Sequence, residues 1–472
     1  MAGSTVGDIL VDGLLRAGTP RLFRAGDDPI ARALSAAAQR RGLAVVELAG
    51  DGAACVMAAV TAELSDAPGA AIVRLGPATQ AVVDGAAHAA RDRAPVIVIT
   101  DRHEDATLLA PVTKASLLAE PASAAHWIAH AAQLALSEPR GPVHIALAAS
   151  AVDRGALPVA TACRPGSPPP PDARVLDAAA RALAGATRPL LVFGLQCRPD
   201  DAKWLRALAE ALPAPVLATA KAKGVLPDPH PLALGLLADP AAAAALRPRA
   251  DLIVTIGVDP GEIGPGSWPA AIPVLRLARS AGGGEYIAEL IGDLSLIVEE
   301  LAPRLRGREQ ADWDVAELDR IKRASLAAGT GRRRLVQIAR EMTEAGALAA
   351  IDVAEALAWQ VVAPGELLVA TGFATPGFAL PAAIAAQLAR PDRRVLAFAA
   401  AGGLRASRAE LPTLARLALP ITVVVSGDAE AAAEVVVAAR AAGLDVLRAA
   451  GETAFRFAFE RALGAGRPVL IV

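Results

Sequence analysis

Two carboxylates and one turn of small residues are the places where this 472-residue chain could do chemistry. Asp51 stands in Gly50-Asp51-Gly52, just ahead of the helix-like stretch Ala53–Leu64. An acid there can handle a proton, and it can equally cap the helix that follows. Asp428 comes after Gly427, at the end of the apolar run Ile421–Val425 and ahead of a helical run over Ala429–Ala442. It can offer an oxygen to a metal, or serve as a turn or N-cap residue. The turn is Ala400-Ala401-Gly402-Gly403, inside PDRRVLAFAAAGGLRASRAELPTLARLALPITVVVSGD (391–428). That stretch reads as a buried strand (Val395–Ala399), a small-residue turn, a helix and a second buried strand. Glycines at such a turn let the backbone come close to an anion. Arg405 and Arg408 lie one helical turn apart behind it. They could grip phosphate directly, although solvated helix residues are the plainer reading. His126 and His130 share a helix face at i, i+4, a spacing that can hold a metal. No Glu or third ligand accompanies them, so a packing or surface role is favoured. His230 lies in the Pro-rich PDPHP and reads as loop.

The bulk composition narrows the field. A net charge of −2 speaks against binding a phosphate backbone, so no nucleic-acid partner is expected. Three separated cysteines, Cys55, Cys163 and Cys197, form no motif and fit a reducing, cytoplasmic setting. MAGSTVGDIL carries Asp8 and no apolar core, so it does not read as a signal peptide. Residues Leu367–Ala389 lack charge over a bilayer-spanning length, but Gly372, Pro376, Gly377 and Pro381 interrupt them. A buried loop and helix start is the better reading, and no membrane span is expected. There is no Gly-x-Ser-x-Gly elbow, Walker loop or well-placed Gly-x-Gly-x-x-Gly, which leaves a Rossmann dehydrogenase as a weak alternative.

The elements that must position these residues alternate along the whole chain. Thr5–Ala17 is an amphipathic helix with Thr5 as N-cap. Ala44–Leu48, Ala70–Leu75, Val96–Thr100 and His144–Leu147 are apolar strand runs with helical stretches such as Ala78–Ala90 between them. Pro189–Gly194, Val216–Thr219, Leu252–Gly257 and Val274–Leu277 repeat the pattern, and the chain ends on Pro468–Val472. Continuous apolar strands between helices mean parallel sheets covered on both faces. CRPGSPPPPDA breaks the series as a stiff linker, and the charged stretch 304–334 reads as a solvated crossing. The fold class is therefore α/β, with three consecutive doubly wound parallel-sheet domains. Their expected limits are 1–160, a Pro-rich linker 161–173, a central domain 174–305, a charged linker helix 306–334, and 335–472.

Four stretches carry a family resemblance: GLLRAGTPRLFRAGDDPIARAL, AIVRLGPATQAVVDGAAHAARDRAPVIVIT, ATAKAKGVLPDPHPLALG and FALPAAIAAQLARPDRRVLAF. PVTKASLL and EPRGPVHIAL add smaller matches. In order along nearly the whole chain, they resemble the acetolactate synthase-like family of thiamine-diphosphate enzymes. The resemblance implies pyrimidine-binding, central and diphosphate-binding domains, and a homodimer or homotetramer. It also implies thiamine diphosphate and Mg²⁺ as cofactors, and decarboxylation or carboligation of a small 2-oxo acid. The family carries Gly-Asp-Gly at the diphosphate turn and Asn-Asn after the next strand. Here those registers hold Ala400-Ala401-Gly402 and Gly427-Asp428. The turn Ala400-Ala401-Gly402-Gly403, with Gly76, Arg405, Gly427 and Asp428, would then hold the cofactor, and Asp428 would hold any metal. Gly50-Asp51-Gly52 spells the turn motif out of register, whereas Asp51 falls where the family's catalytic Glu would lie, one methylene short. Gly76-Pro77-Ala78 keeps part of a conserved turn, and Arg24-Ala25-Gly26-Asp27 replaces another. The stretches after Asp428 and between Gln360 and Phe378 are shorter than the family's. These departures meet at one site. They lead to the expectation of an eroded metal motif with activity lost or altered, the alternative being a non-catalytic paralogue that partners an intact relative.

Overall fold

The computed structural model describes residues 4–101, 104–264, 268–269, 271–305, 311–326 and 329–472. Its frame is three six-stranded parallel sheets with helices between successive strands. The first sheet contains β1 (Arg21–Ala25), β2 (Ala44–Leu48), β3 (Gly69–Ile72), β4 (Val96–Asp101), β5 (Ser116–Ala119) and β6 (Val143–Leu147), in the order β2-β1-β3-β4-β6-β5. The second contains β7 (Pro189–Phe193), β8 (Val216–Ala218), β9 (Ala233–Leu236), β10 (Leu252–Ile256), β11 (Val274–Ala278) and β12 (Ala288–Ile291), in the order β12-β11-β10-β7-β8-β9. The third contains β13 (Leu348–Ile351), β14 (Leu367–Val369), β15 (Val395–Ala400), β16 (Thr422–Ser426), β17 (Asp445–Leu447) and β18 (Val469–Ile471), in the order β14-β13-β15-β16-β18-β17.

Central strands are buried along nearly their full length, as β4, β7 and β10 illustrate. Both faces of each sheet are covered by helices, so an apolar residue is needed at every position rather than every second one. Helix boundaries follow local chemistry. Thr5 caps Val6–Ala17 through a reciprocal pair with Asp8, and Gly18 closes that helix in the left-handed region. The charged stretch expected as a linker contains the helix Val315–Leu326 and the start of the helix Gly331–Glu341. Glycines at 329 and 331 are poor helix formers at the described start of the second helix. Residues 306–310 and 327–328 of that stretch lie outside the described residues.

The chain divides into two compact units. One contains residues 1–166, 348–354 and 373–472, and so holds the first sheet and most of the third. The other contains residues 167–347 and 355–372. The Asp51 helix and the Ala400–Gly403 turn therefore share a unit. No described helix is long and apolar enough to cross a membrane.

Candidate functional site

The turn is built from β15 outward. β15 ends at Ala400, whose N–H donates to Asp352 Oδ1 at 2.6 Å. Asp352 follows β13, the neighbour of β15 in the sheet. A six-residue helix, Ala401–Ala406, then begins. Ala401 is fully buried, and its methyl lies where a Cβ on Gly427 would come within 2.8 Å. Gly377 sits behind the turn at φ 76°, and a Cβ on it would meet Gly403 O at 2.5 Å. The turn is therefore closed by backbone-to-backbone packing around an alanine methyl.

Asp352 is an acid pressed against this turn from within the sheet. Burial pushes its carboxyl up to about 6, against the pull of the Ala400 amide. Its Oδ2 has no hydrogen-bond partner among the described residues, and a Cβ at Gly403 would lie 2.8 Å from it. Sequence reasoning did not single out Asp352. Its signal was an acid directly after the buried run Leu348–Ile351.

The expected ligands point elsewhere. Asp428 is exposed and caps the helix Ala429–Ala441, accepting from Ala431 N–H at 2.8 Å. That N–H holds its carboxyl below the ordinary range. Arg405 is half exposed and pairs with Glu434 at 3.4 Å, and Arg408 is exposed. Gly402 is exposed, and a Cβ built on it would meet nothing within 4 Å. Among the described residues there is no group of three or more His, Cys, Asp or Glu that could hold a metal. An octahedral Mg²⁺ needs side-chain oxygens beside the phosphates, and Ala401 has none to give. The residues at this turn do not fit the metal.

Asp51 is placed differently from a cap. Gly50 is the N-cap, and Asp51 is the first residue of the helix Asp51–Ser65. It is buried, and both of its oxygens are taken. Arg74 N–H donates to Oδ1 at 2.8 Å and Arg74 Nη2 to Oδ2 at 2.9 Å. The carboxylate in turn raises the Arg74 guanidinium above its usual value. One turn along, burial and then Asp51 push the Cys55 thiol up to about 12. Gly76 also has its amide occupied, donating to Thr79 Oγ1 at 2.7 Å.

Glu410 was likewise not singled out from sequence. It is 1% exposed, and its Oε1 accepts from Gly50 N–H at 2.8 Å. Burial raises its carboxyl above the usual range. Arg416 adds a second tie, from its guanidinium to Glu47 O at 2.5 Å. The segment after the turn thus clamps the loop that carries Asp51. His88, buried in the helix Thr79–Arg91, meets Thr375 Oγ1 through Nδ1 at 3.1 Å and completes the contacts around 373–378.

Three family models match the chain in order. They are the N-terminal thiamine pyrophosphate binding domain over residues 4–116, the central domain over 176–300 and the C-terminal thiamine pyrophosphate binding domain over 350–435. The chain belongs to the thiamine pyrophosphate enzyme family. It is similar to a catabolic acetolactate synthase of Raoultella terrigena, at 26% identity over 408 residues, 77% of this chain and 72% of that protein. It is also similar to a probable 2-ketoarginine decarboxylase of Pseudomonas aeruginosa, at 29% over 402 residues, 75% and 69% of the two chains. A solved thiamine diphosphate-dependent 4-hydroxybenzoylformate decarboxylase of Rhodococcus jostii RHA1 superposes with a TM-score of 0.79 over 99% of this chain and 98% of its own. At 19% identity that likeness establishes the fold. Family and fold class both agree with the sequence-based expectation.

Proposed function

We propose that this thiamine pyrophosphate family member has lost the metal-clamped grip on the cofactor's diphosphate. With it goes the family's decarboxylation or carboligation of 2-oxo acids, and the fold serves as a non-catalytic binding partner. The observation that carries this reading is Ala401: a buried methyl packed against Gly427, in the register of the family's metal-binding Asp. Asp428 supports it, because its side chain is spent on capping a helix. A six-residue helix brings little dipole to an anion, so it does not replace a divalent ion at contact distance. The domain limits that go with this reading are 1–160, 174–305 and 335–472, consistent with the three matched ranges.

A second reading, catalysis with an altered grip, is favoured by the survival of a buried acid at Asp51. Its pairing with Arg74 weighs against that, since a carboxylate held on both oxygens is poorly placed to pass a proton to a cofactor. Calorimetry separates the two. Thiamine diphosphate with Mg²⁺ gives no heat at millimolar cofactor under the first reading. Micromolar binding lost on chelation would overturn it, while binding that ignores chelation would support the second. The double change Ala401→Asp with Asp428→Asn is expected to bring back Mg²⁺-dependent binding.

A further inference from the structure

The helix Ala124–Leu136 lies in the first unit, away from the residues considered so far. One face is buried through Ala124, Ile128, Ala131, Ala132 and Ala135. Ile128 anchors it: a Cβ on Gly13 would come within 2.4 Å of Ile128 Cγ1, so the Ile128 side chain sits directly against the Gly13 backbone. The opposite face presents His126 and His130, both exposed. Their rings lie parallel, 3° apart in plane, with centroids 6.0 Å apart. Trp127 stands edge-on to both, at 4.7 Å from His126 and 6.0 Å from His130. Two imidazoles one helical turn apart on a helix fixed from behind can be turned onto one ion by rotation about their own side-chain torsions.

We propose that His126 and His130 form a surface site for a borderline transition-metal dication of the Cu²⁺, Ni²⁺ or Zn²⁺ type. Imidazole nitrogen suits these ions, and hard Mg²⁺ prefers oxygen. Within that class affinity follows Cu²⁺ above Ni²⁺ and Zn²⁺. No third His, Cys or acid among the described residues completes a protein cage, so solvent fills the remaining positions. The site is therefore reversible and open, unlike a closed structural zinc site. Clamping i to i+4 also stiffens the helix, so the bound ion stabilises the folded chain by mass action.

Trp127 makes the site readable. The chain has five tryptophans, and this is the one between the two histidines. Titrating the full chain with NiCl₂ or CuSO₄ is expected to quench a fraction of the tryptophan emission in a saturable way, reversed by chelator. MgCl₂ leaves it unchanged. His126→Ala and His130→Ala each weaken binding about tenfold or more, because the second contact becomes intramolecular once the first has formed. The double variant abolishes the quench. Trp127→Phe loses the optical signal but keeps the heat of binding in calorimetry. Equal affinity in either single-histidine variant, or a quench that survives in the double variant, would overturn the proposal. Both histidines are exposed, so these variants are expected to melt as the parent does without metal, which keeps the test separate from folding.

Discussion

The start of the Asp51 helix and the Ala400–Gly403 turn are tied together through Glu410, yet they have kept opposite things. The Asp51 end keeps its charge. A buried acid, an arginine on both of its oxygens and a second buried acid on the preceding amide hold one loop in place. The turn end keeps its shape. Glycines at 377 and 427 and the methyl of Ala401 fill it by packing, and an acid, Asp352, faces it from the sheet side. Family folds constrain shape through the packed core, where a lost methylene is felt at once. They constrain charge only while a ligand needs it. Under the proposed reading, the contrast marks the turn as the place where selection for the cofactor lapsed while selection for the fold continued.

The largest effect should come from attacking the shape of the turn. Gly377→Ala puts a Cβ into Gly403 O at a positive φ, and thermal or denaturant unfolding should register a loss of roughly 2–4 kcal/mol. If the variant were as stable as the parent, the turn would not be held by packing. Next comes the clamp between the two regions. Glu410→Ala leaves the Gly50 amide without its acceptor, and about 1–3 kcal/mol should be lost. Glu410→Gln keeps an acceptor and loses less. Amide hydrogen exchange at Gly50 should rise in the alanine variant alone.

The turn and the core of the first sheet should also answer pH with opposite signs. Asp352 has a raised carboxyl, so the native state holds its proton more tightly than the unfolded chain. Its contribution is fully present below the unfolded value and is lost as pH rises through about 6. Asp352→Asn should therefore gain stability on the parent between pH 4 and pH 7, by about 1–2 kcal/mol. In the first sheet, His144 is buried between Thr100 and Ser116, and burial lowers it to about 4. There the unfolded chain takes up the proton first, so stability falls as pH drops from the ordinary histidine range toward 4. Unfolding curves of His144→Gln against the parent across that window would flatten if this is right. The smallest effect belongs to Arg405→Ala. It breaks an exposed pair with Glu434, and the change should stay within about 0.5 kcal/mol and shrink further with salt.

How far the sequence could be read follows from the same division between local and tertiary causes. β4, β7 and β10 were legible because strands covered on both faces must be apolar throughout. Thr5 as a cap was legible because it lies within one turn of what it caps. Asp428 as a cap was one of two roles its position allowed, and the structure uses that one. The strands β9, β12 and β17 escaped because they are short, partly exposed edges. At the site, the alanine at position 401 is visible in the sequence, and the structure buries it in the turn. Asp352 and Glu410 could not, because what distinguishes them from surface acids is burial against partners 48 and 360 residues away in sequence. The grip of Arg74 on Asp51 was hidden for the same reason, at 23 residues' separation.

One titration bears on all of this most directly: thiamine diphosphate injected into the full chain in a calorimeter, with Mg²⁺ and again with chelator. A turn that has kept its shape and lost its charge should give no binding heat with either, and a Mg²⁺-dependent signal should return when Ala401→Asp and Asp428→Asn are introduced together. A micromolar, chelator-sensitive isotherm in the unaltered protein would contradict it outright.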